Sequence, residues 1–223
     1  MHEFHPIGRK KTRLFKPFAF GFVKGAECLI NCSLLTTLSA IPKLEDKEIL
    51  AKFSQPESRN YAFNLLVRKY QERIYWHIRK MVIDHDDTDD LVQEVFVKVW
   101  KNLDKFREDA QLYTWVYRIA TNECLNFLKK KKKRFFISIN DVGAELADKI
   151  DEGKYISGDE IQLKLQKALL TLPEKQRLVF NMKYFDEMTY QQISDIVGTS
   201  VGALKASYHI ATKKIEEFLT IQE

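Results

Sequence analysis

"TYQQISDIVGTSVGALKASYHIATKKI", residues 189–215, holds two short apolar-periodic segments hinged at a single glycine. Thr189 with Gln192 three residues on is a capping-box pair that starts a helix, and Gly198 is the left-handed residue expected just past its end. Ser200 suits the N-cap of a second helix. Two helices joined by a turn of about three or four residues form the helix-turn-helix arrangement, whose second helix lies in the DNA major groove while the first crosses the backbone. The same hairpin joins helices in proteins that never meet DNA. The second helix is also sparsely charged, with Lys205, Lys213 and Lys214, and with Tyr208 and His209 as further polar groups. The rest of the chain has to decide between these readings.

The chain has 223 residues, 45% hydrophobic and 30% charged, which suits a globular protein of one or two domains. Only 8 Gly and 5 Pro, many i, i+4 apolar ladders and few alternating β-branched runs predict an all-α fold. The net charge of +5 is unevenly spread. Lys and Arg exceed Asp and Glu by 10 to 6 over 1–59 and by 16 to 11 over 60–134, fall to 2 against 7 over 135–160, and return to 8 against 7 over 161–223. Two helical blocks thus flank an acidic connector. The basic excess favours nucleic acid or an anionic membrane surface as partner. Cys28, Cys32 and Cys124 are an odd number without paired zinc spacing, which argues against a disulfide framework or a metal site and predicts a reducing cytoplasm. The five histidines and the acidic residues form no nucleophile or metal arrangement. No catalytic, cofactor or metal site and no small-molecule substrate is therefore expected, and "DHDDTDD", 84–90, reads as a solvated cap.

Residues 1–54 differ in composition from the remainder of the chain. "RKKTRLFKPFAFGFVKGAECLINCSLLTTLSA" starts basic and ends in small residues, as a secretory signal does, but Lys24 and Glu27 interrupt its apolar part and "CLINCSLLTTLSA" is too short to span a bilayer. It is read as a flexible extension. A first block, 55–134, opens with "YAFNLLVRKYQERIYWHIRKMV", where Leu66, Tyr70, Ile74, Ile78 and Val82 recur at every fourth position and predict a long amphipathic helix. "DHDDTDD" then supplies a cap and negative charge for the positive end of the next helix. In "LVQEVFVKVWKNL", Leu91, Val92, Val95, Phe96, Val99 and Leu103 form the buried side, and Asp90, Gln93, Glu94, Lys98 and Lys101 the outer one. Phe96 and Trp100 read first as core residues.

After the polar loop "KFREDAQ" comes "LYTWVYRIATNECLNFLKKKKKR", 112–134. Trp115 and Ile119 mark one apolar strip and Val116, Ala120 and Cys124 the adjacent one. Tyr113, Tyr117, Arg118, Asn122 and Asn126 fill much of the remainder, and six basic residues, 129–134, end the helix. A lysine run suits the negative end of the helix dipole, and it equally suits phosphate. Aromatics and amides beside it are the groups that stack on and hydrogen-bond to unpaired bases. The stretch 135–160 lacks periodicity and reads as an acidic flexible linker. Ser157 with Glu160 is a capping box opening "DEIQLKLQKALLTL", with Ile161, Leu165, Leu169 and Leu172 in one stripe; Thr171 and Glu174 repeat the signal around Pro173, placed in the first turn of the helix before the opening stretch. The second block, 161–223, is four helices.

This order of parts resembles the extracytoplasmic-function (ECF) sigma factors, the small two-domain group among bacterial transcription initiation factors. The resemblance covers about 60–219 and rests on "FNLLVRKYQERIY", "DDTDDLVQEVFVKVWKNLDKF", "YTWVYRIATNECLNFLKKKKK", "LLTLPEKQRLVFNMKYFDEMTYQQISDIVG" and "SVGALKASYHIATKKI", in that order. It implies two helical domains, the second with the helix-turn-helix, and the partners core RNA polymerase, promoter DNA and an anti-sigma factor, which can be membrane-anchored. Polymerase binding is implied for Asp89, Asp90, Gln93, Glu94, Val97, Lys98 and Lys101. Minus-ten DNA is assigned to Arg107, Gln111, Tyr113, Tyr117, Arg118, Asn122, Asn126, Lys129, Lys130 and Lys131, with Trp115 left to the core. Minus-thirty-five DNA is assigned to Ser200, Gly202, Ala203, Lys205, Ala206, Ser207, His209, Ile210, Lys213 and Lys214. Where many relatives carry arginines on the recognition helix, Ser207, Ile210 and Thr212 stand here, so bidentate arginine–guanine contacts are mostly absent and readout leans on lysine, small residues and DNA shape.

Two other classes fit parts of the sequence. A helix-turn-helix regulator acting without polymerase would not need "DDLVQEVFVKVW" or the aromatic–lysine helix in their present order. A helical adaptor accommodates the ladders and leaves the basic run unexplained.

Overall fold

The ladder of Leu66, Tyr70, Ile74, Ile78 and Val82 is buried along its whole length, each residue at most 3% exposed. It seats the helix around which the other elements gather. The computed structural model describes residues 44–107, 110–135 and 160–221. Among them the elements are α1 (Asp46–Phe53), α2 (Arg59–Val82), α3 (His85–Asn102), a 3₁₀ turn (Leu103–Lys105), α4 (Leu112–Phe135), α5 (Glu160–Leu170), α6 (Glu174–Tyr184), α7 (Tyr190–Val197) and α8 (Val201–Ile221), with no strand. The expected all-α class holds. The extension up to residue 43, the connector 136–159 and the Ser157 capping box lie outside the described residues.

Local chemistry sets the boundaries. Asp84 caps α3 by accepting from the Asp87 N–H at 3.1 Å. The turn before it runs through Ile83, a buried β-branched residue at φ 69°, a conformation that costs of order 1–3 kcal/mol and persists only where packing enforces it. At α7 the capping box is complete: the Thr189 N–H donates to Gln192 Oε1 at 2.8 Å, and the Gln192 N–H to Thr189 Oγ1 at 3.2 Å. Gly198 ends that helix at φ 72°, its N–H bonded to the Ser194 carbonyl at 2.8 Å. At α6 the expectation is corrected by one position. Pro173 is the N-cap, preceding the first turn, and the Thr171 hydroxyl turns back to donate to the Ala168 carbonyl at 2.7 Å.

Helices α2, α3 and α4 pack on one another, and α1 lies along α2. Ile49 and Phe53 of α1 enter the core, so the stretch 46–53, which composition assigns to the extension, is a packed helix. Its N-terminal end is tied down as well: the Tyr70 hydroxyl donates to both Asp46 carboxylate oxygens at 2.8 Å, and Lys69 donates to the Leu44 carbonyl at 2.9 Å. A second core, built from Ala168, Leu169, Leu172, Phe180, Ala211 and Ile215, joins α5, α6 and α8. Helix α6 also packs on α2, and α7 on α4, so the described residues from Leu44 onward form one compact unit.

Candidate nucleic-acid and protein interfaces

Helix α3 turns Leu91, Val95, Phe96 and Val99 into the core, which leaves the opposite side to solvent. There Asp90, Gln93, Glu94, Val97, Lys98 and Lys101 line an open groove. Asp89 sits at its edge, half-buried and 3.1 Å from His85 Nδ1. Burial raises its carboxyl above the ordinary value; His85 and Arg79 oppose that rise, and Asp86 and Asp90 add to it. Lys98 is held across the helix pair by Glu123 of α4, so the groove's free charge is Asp90, Glu94 and Lys101. Phe96 is a core residue at 1% exposure. Trp100 is half-buried and meets Phe53 and Phe63 edge-on at 5.4 and 4.9 Å, with the Arg59 guanidinium 5.2 Å from its ring.

Along α4 the seam Leu112, Val116, Ala120, Cys124 and Leu128 is buried. Burial pushes the Cys124 thiol up to about 12, which makes it inert at neutral pH. Two aromatic residues depart from expectation in their burial. Tyr117, expected as a base-stacking surface, is 2% exposed and wedged 4.4 Å from Tyr113 and 5.1 Å from His77. Its phenol is raised far above the ordinary value by burial first and by neighbouring Tyr113 and Asp186 next. Trp115, expected in the core, is half-buried against Phe106 and lines an open groove with Ile119, Asn122, Lys98, Asn102 and Lys105. The remaining expected residues divide. Arg107, Gln111, Asn122, Asn126, Lys129 and Lys130 are exposed, and Tyr113 is half-buried. Arg118 is exposed yet donates to the Asp195 carbonyl of α7, and Lys131 pairs with Asp87 at 2.8 Å.

Helix α8 anchors itself through Leu204, Ala211 and Ile215. That spacing leaves Ser200, Gly202, Ala203, Lys205, Ala206, His209, Ile210, Lys213 and Lys214 exposed, with Ser207 half-buried. Ile210 is 44% exposed, a large apolar side chain left partly open to solvent. Tyr208 belongs to the fold instead: its ring stacks on Phe180 at 5.6 Å. The Thr212 hydroxyl is spent on the Tyr208 carbonyl at 2.9 Å. Ser200 caps the helix loosely, accepting from the Ala203 N–H at 3.4 Å.

A helix-turn-helix with an outward reading face, a basic aromatic-bearing helix and an acidic-amide groove, all on helical blocks, define a DNA-binding protein with a protein-docking face. Comparison with known proteins gives the class its name. Residues 66–134 match the family model of sigma-70 region 2, and 162–215 that of sigma-70 region 4. The ECF RNA polymerase sigma factor SigW of Bacillus subtilis is 30% identical over 156 residues, 66% of this chain and 83% of that protein. Solved structures share the fold: CnrH in complex with the cytosolic domain of CnrY (TM-score 0.59, 23% identity, covering 80% of this chain and 99% of that one), and the sigma factor RpoE in complex with the anti-sigma factor NepR from Bartonella quintana (TM-score 0.55, 20% identity, covering 72% and 98%). The chain belongs to the ECF sigma factors of bacterial RNA polymerase, and its function is promoter recognition and the initiation of DNA-templated transcription. The family consists of initiation factors, not enzymes. Among the described residues no helix is long and apolar enough to cross a membrane.

Proposed function

We propose that three faces of this sigma factor divide its work, within a first domain at 55–134, an acidic linker at 135–160 and a second domain at 161–223. The α3 groove docks on a coiled coil of core polymerase. Asp90 and Glu94 offer charge to a basic partner, Gln93 offers hydrogen bonds, and Val97 offers an apolar contact. The α4 groove and the lysine run take the minus-ten element. Melting needs no catalytic group, because stacking one base on an aromatic plane contributes about 1–3 kcal/mol, comparable with opening a base step. Trp115 with Asn122 is the pair placed for that stacking, while Lys129 and Lys130 hold phosphates. The α8 face reads the minus-thirty-five duplex through Lys205, His209 and Ile210, with Lys213 and Lys214 on the backbone. The protein works in the cytoplasm without chemistry of its own, and an anti-sigma factor, of the kind seen with the RpoE fold neighbour, keeps it from polymerase.

The observation that carries this reading is the α3 groove, whose charges stay exposed on a helix locked in place by its other side. Replacing Asp90 and Glu94 by lysine should weaken capture of core polymerase at least tenfold while the helical circular-dichroism signal is kept. Unchanged capture with an intact fold contradicts the assignment.

A further inference from the structure

The three lysines of α8 have different surroundings. Lys213 lies 3.9 Å from Glu217 Oε1, and Lys214 donates to Gln176 Oε1 at 3.3 Å. Lys205, exposed on the outer face, makes neither a hydrogen bond nor an ion pair among the described residues. Its ammonium lies instead 5.9 Å from the centroid of the Tyr190 ring, at the first position of α7. A cation over an aromatic face is held by the ring's quadrupole and gives up no N–H, so all three ammonium donors of Lys205 stay free for a ligand.

The ring itself is a fixed support. Tyr190 is half-buried and packs against the core, and the capping box of Thr189 and Gln192 sets the backbone beside it. Tyr208 of α8 meets the ring edge-on at 6.2 Å and 78°, and Tyr208 in turn stacks on Phe180 of the second core at 5.6 Å. From α6 the Lys183 ammonium reaches the same ring, 5.1 Å from its centroid, and is itself tied down by donating to the Met188 carbonyl at 3.2 Å. Contacts from α6 and α8 thus hold a side chain of α7 in one orientation. Position matters here because α8 has no arginine, whose planar fork would set its own direction. A lysine is a point charge on a flexible stem, and a rigid neighbour supplies the pre-organisation it lacks.

We propose that Tyr190 is a positioning residue for promoter specificity: its ring holds the Lys205 ammonium over one base pair of the minus-thirty-five duplex, guanine being the base whose O6 and N7 accept from a lysine. This rests on the reading of α8 given above. The test uses the full chain with core polymerase, on a promoter that the pair selects from genomic DNA, with every single base-pair change across the minus-thirty-five segment; sequencing of transcripts gives the base preference at each position. Lys205→Ala should flatten the preference at one position. Tyr190→Leu should lower the preference at that same position by about two- to fivefold, the size of a cation–π contact at an exposed site, and Tyr190→Phe, which keeps the ring, should retain it. Lys183 shares the ring, so the pair is isolated by a double-mutant cycle: in the Lys205→Ala background Tyr190→Leu should change the profile no further. Should Tyr190→Leu unfold by circular dichroism, pentafluorophenylalanine at position 190, which keeps the ring's size and reverses its quadrupole, takes its place and should flatten the same position. A folded ring-less or fluorinated variant with the parental preference overturns the proposal, as does a loss that persists without Lys205, since the ring would then act through packing. A DNA-free readout separates failure of the contact from failure of the α8 reading: the Lys205 side-chain methylene protons should lie upfield in the parent and in Tyr190→Phe and move downfield in Tyr190→Leu. Absence of that shift overturns the contact. The shift present with an unchanged profile in Lys205→Ala would overturn Lys205 as a reading residue, and the specificity role of Tyr190 with it.

Discussion

At the scale of single residues, the joint between α7 and α8 rests on one backbone conformation. Gly198 holds φ 72°, and a methyl group built on it would meet nothing within 4 Å. The cost of Gly198→Ala is therefore backbone strain alone, about 1–2 kcal/mol, read as a lower midpoint in urea with an unchanged slope. No loss would show that the turn tolerates an ordinary residue. The glycine, the Thr189–Gln192 cap and the Ser200 start were all legible in the sequence, because each is a rule about neighbours within a few positions. Tyr117 and Trp115 were not. A tyrosine beside an apolar strip reads as amphipathic until the third wall of its pocket is known, and that wall is His77, 40 positions away in sequence and in ring contact at 5.1 Å. The sequence does carry one signal for His77: it lies on the apolar side of α2 beside Ile74, Ile78 and Met81.

At the scale of elements, α4 and α8 carry different chemistry and should fail differently. Lys205→Ala with His209→Ala should reduce affinity for the upstream duplex, by about 1–3 kcal/mol if a base contact is lost. Trp115→Ala with Asn122→Ala should leave closed-complex affinity closer to normal and slow strand opening, reported by permanganate reactivity of unpaired thymines. A template already mismatched at the minus-ten segment should rescue the α4 variant and leave the α8 variant's duplex defect in place. Rescue of both, or of neither, would remove melting from α4. Helix α1 offers a second test. A chain beginning at Leu44 keeps Ile49 and Phe53 in the core and should unfold with about the parental stability. One beginning at Gln55 removes both, and loss of a buried Phe alone typically costs about 3–5 kcal/mol. Equal stability of the two chains would contradict the place of α1 in the core. Apolar periodicity found the longer ladders, while α1, only 8 residues long and with two fully buried side chains, was too short to stand out from the extension before it.

At the scale of the whole molecule, the order of helices and the two blocks were readable from repeated i, i+4 patterns and from the charge change along the chain. How the blocks lie against each other was not, since it depends on bonds such as His77 to Asp186 and Arg177 to Met81 that no local pattern encodes. A further bond of this kind joins Arg118 of α4 to the Asp195 carbonyl of α7, while the α3 groove and the outer face of α8 remain exposed. Transcription in vitro by core polymerase on genomic DNA, with and without the chain, tests most directly the central claim that the chain initiates transcription through the α3 docking face. The expected result is a set of discrete start sites that depend on the chain and are lost with Asp90→Lys and Glu94→Lys. A chain that binds duplex DNA by itself while leaving core polymerase without new start sites would contradict it.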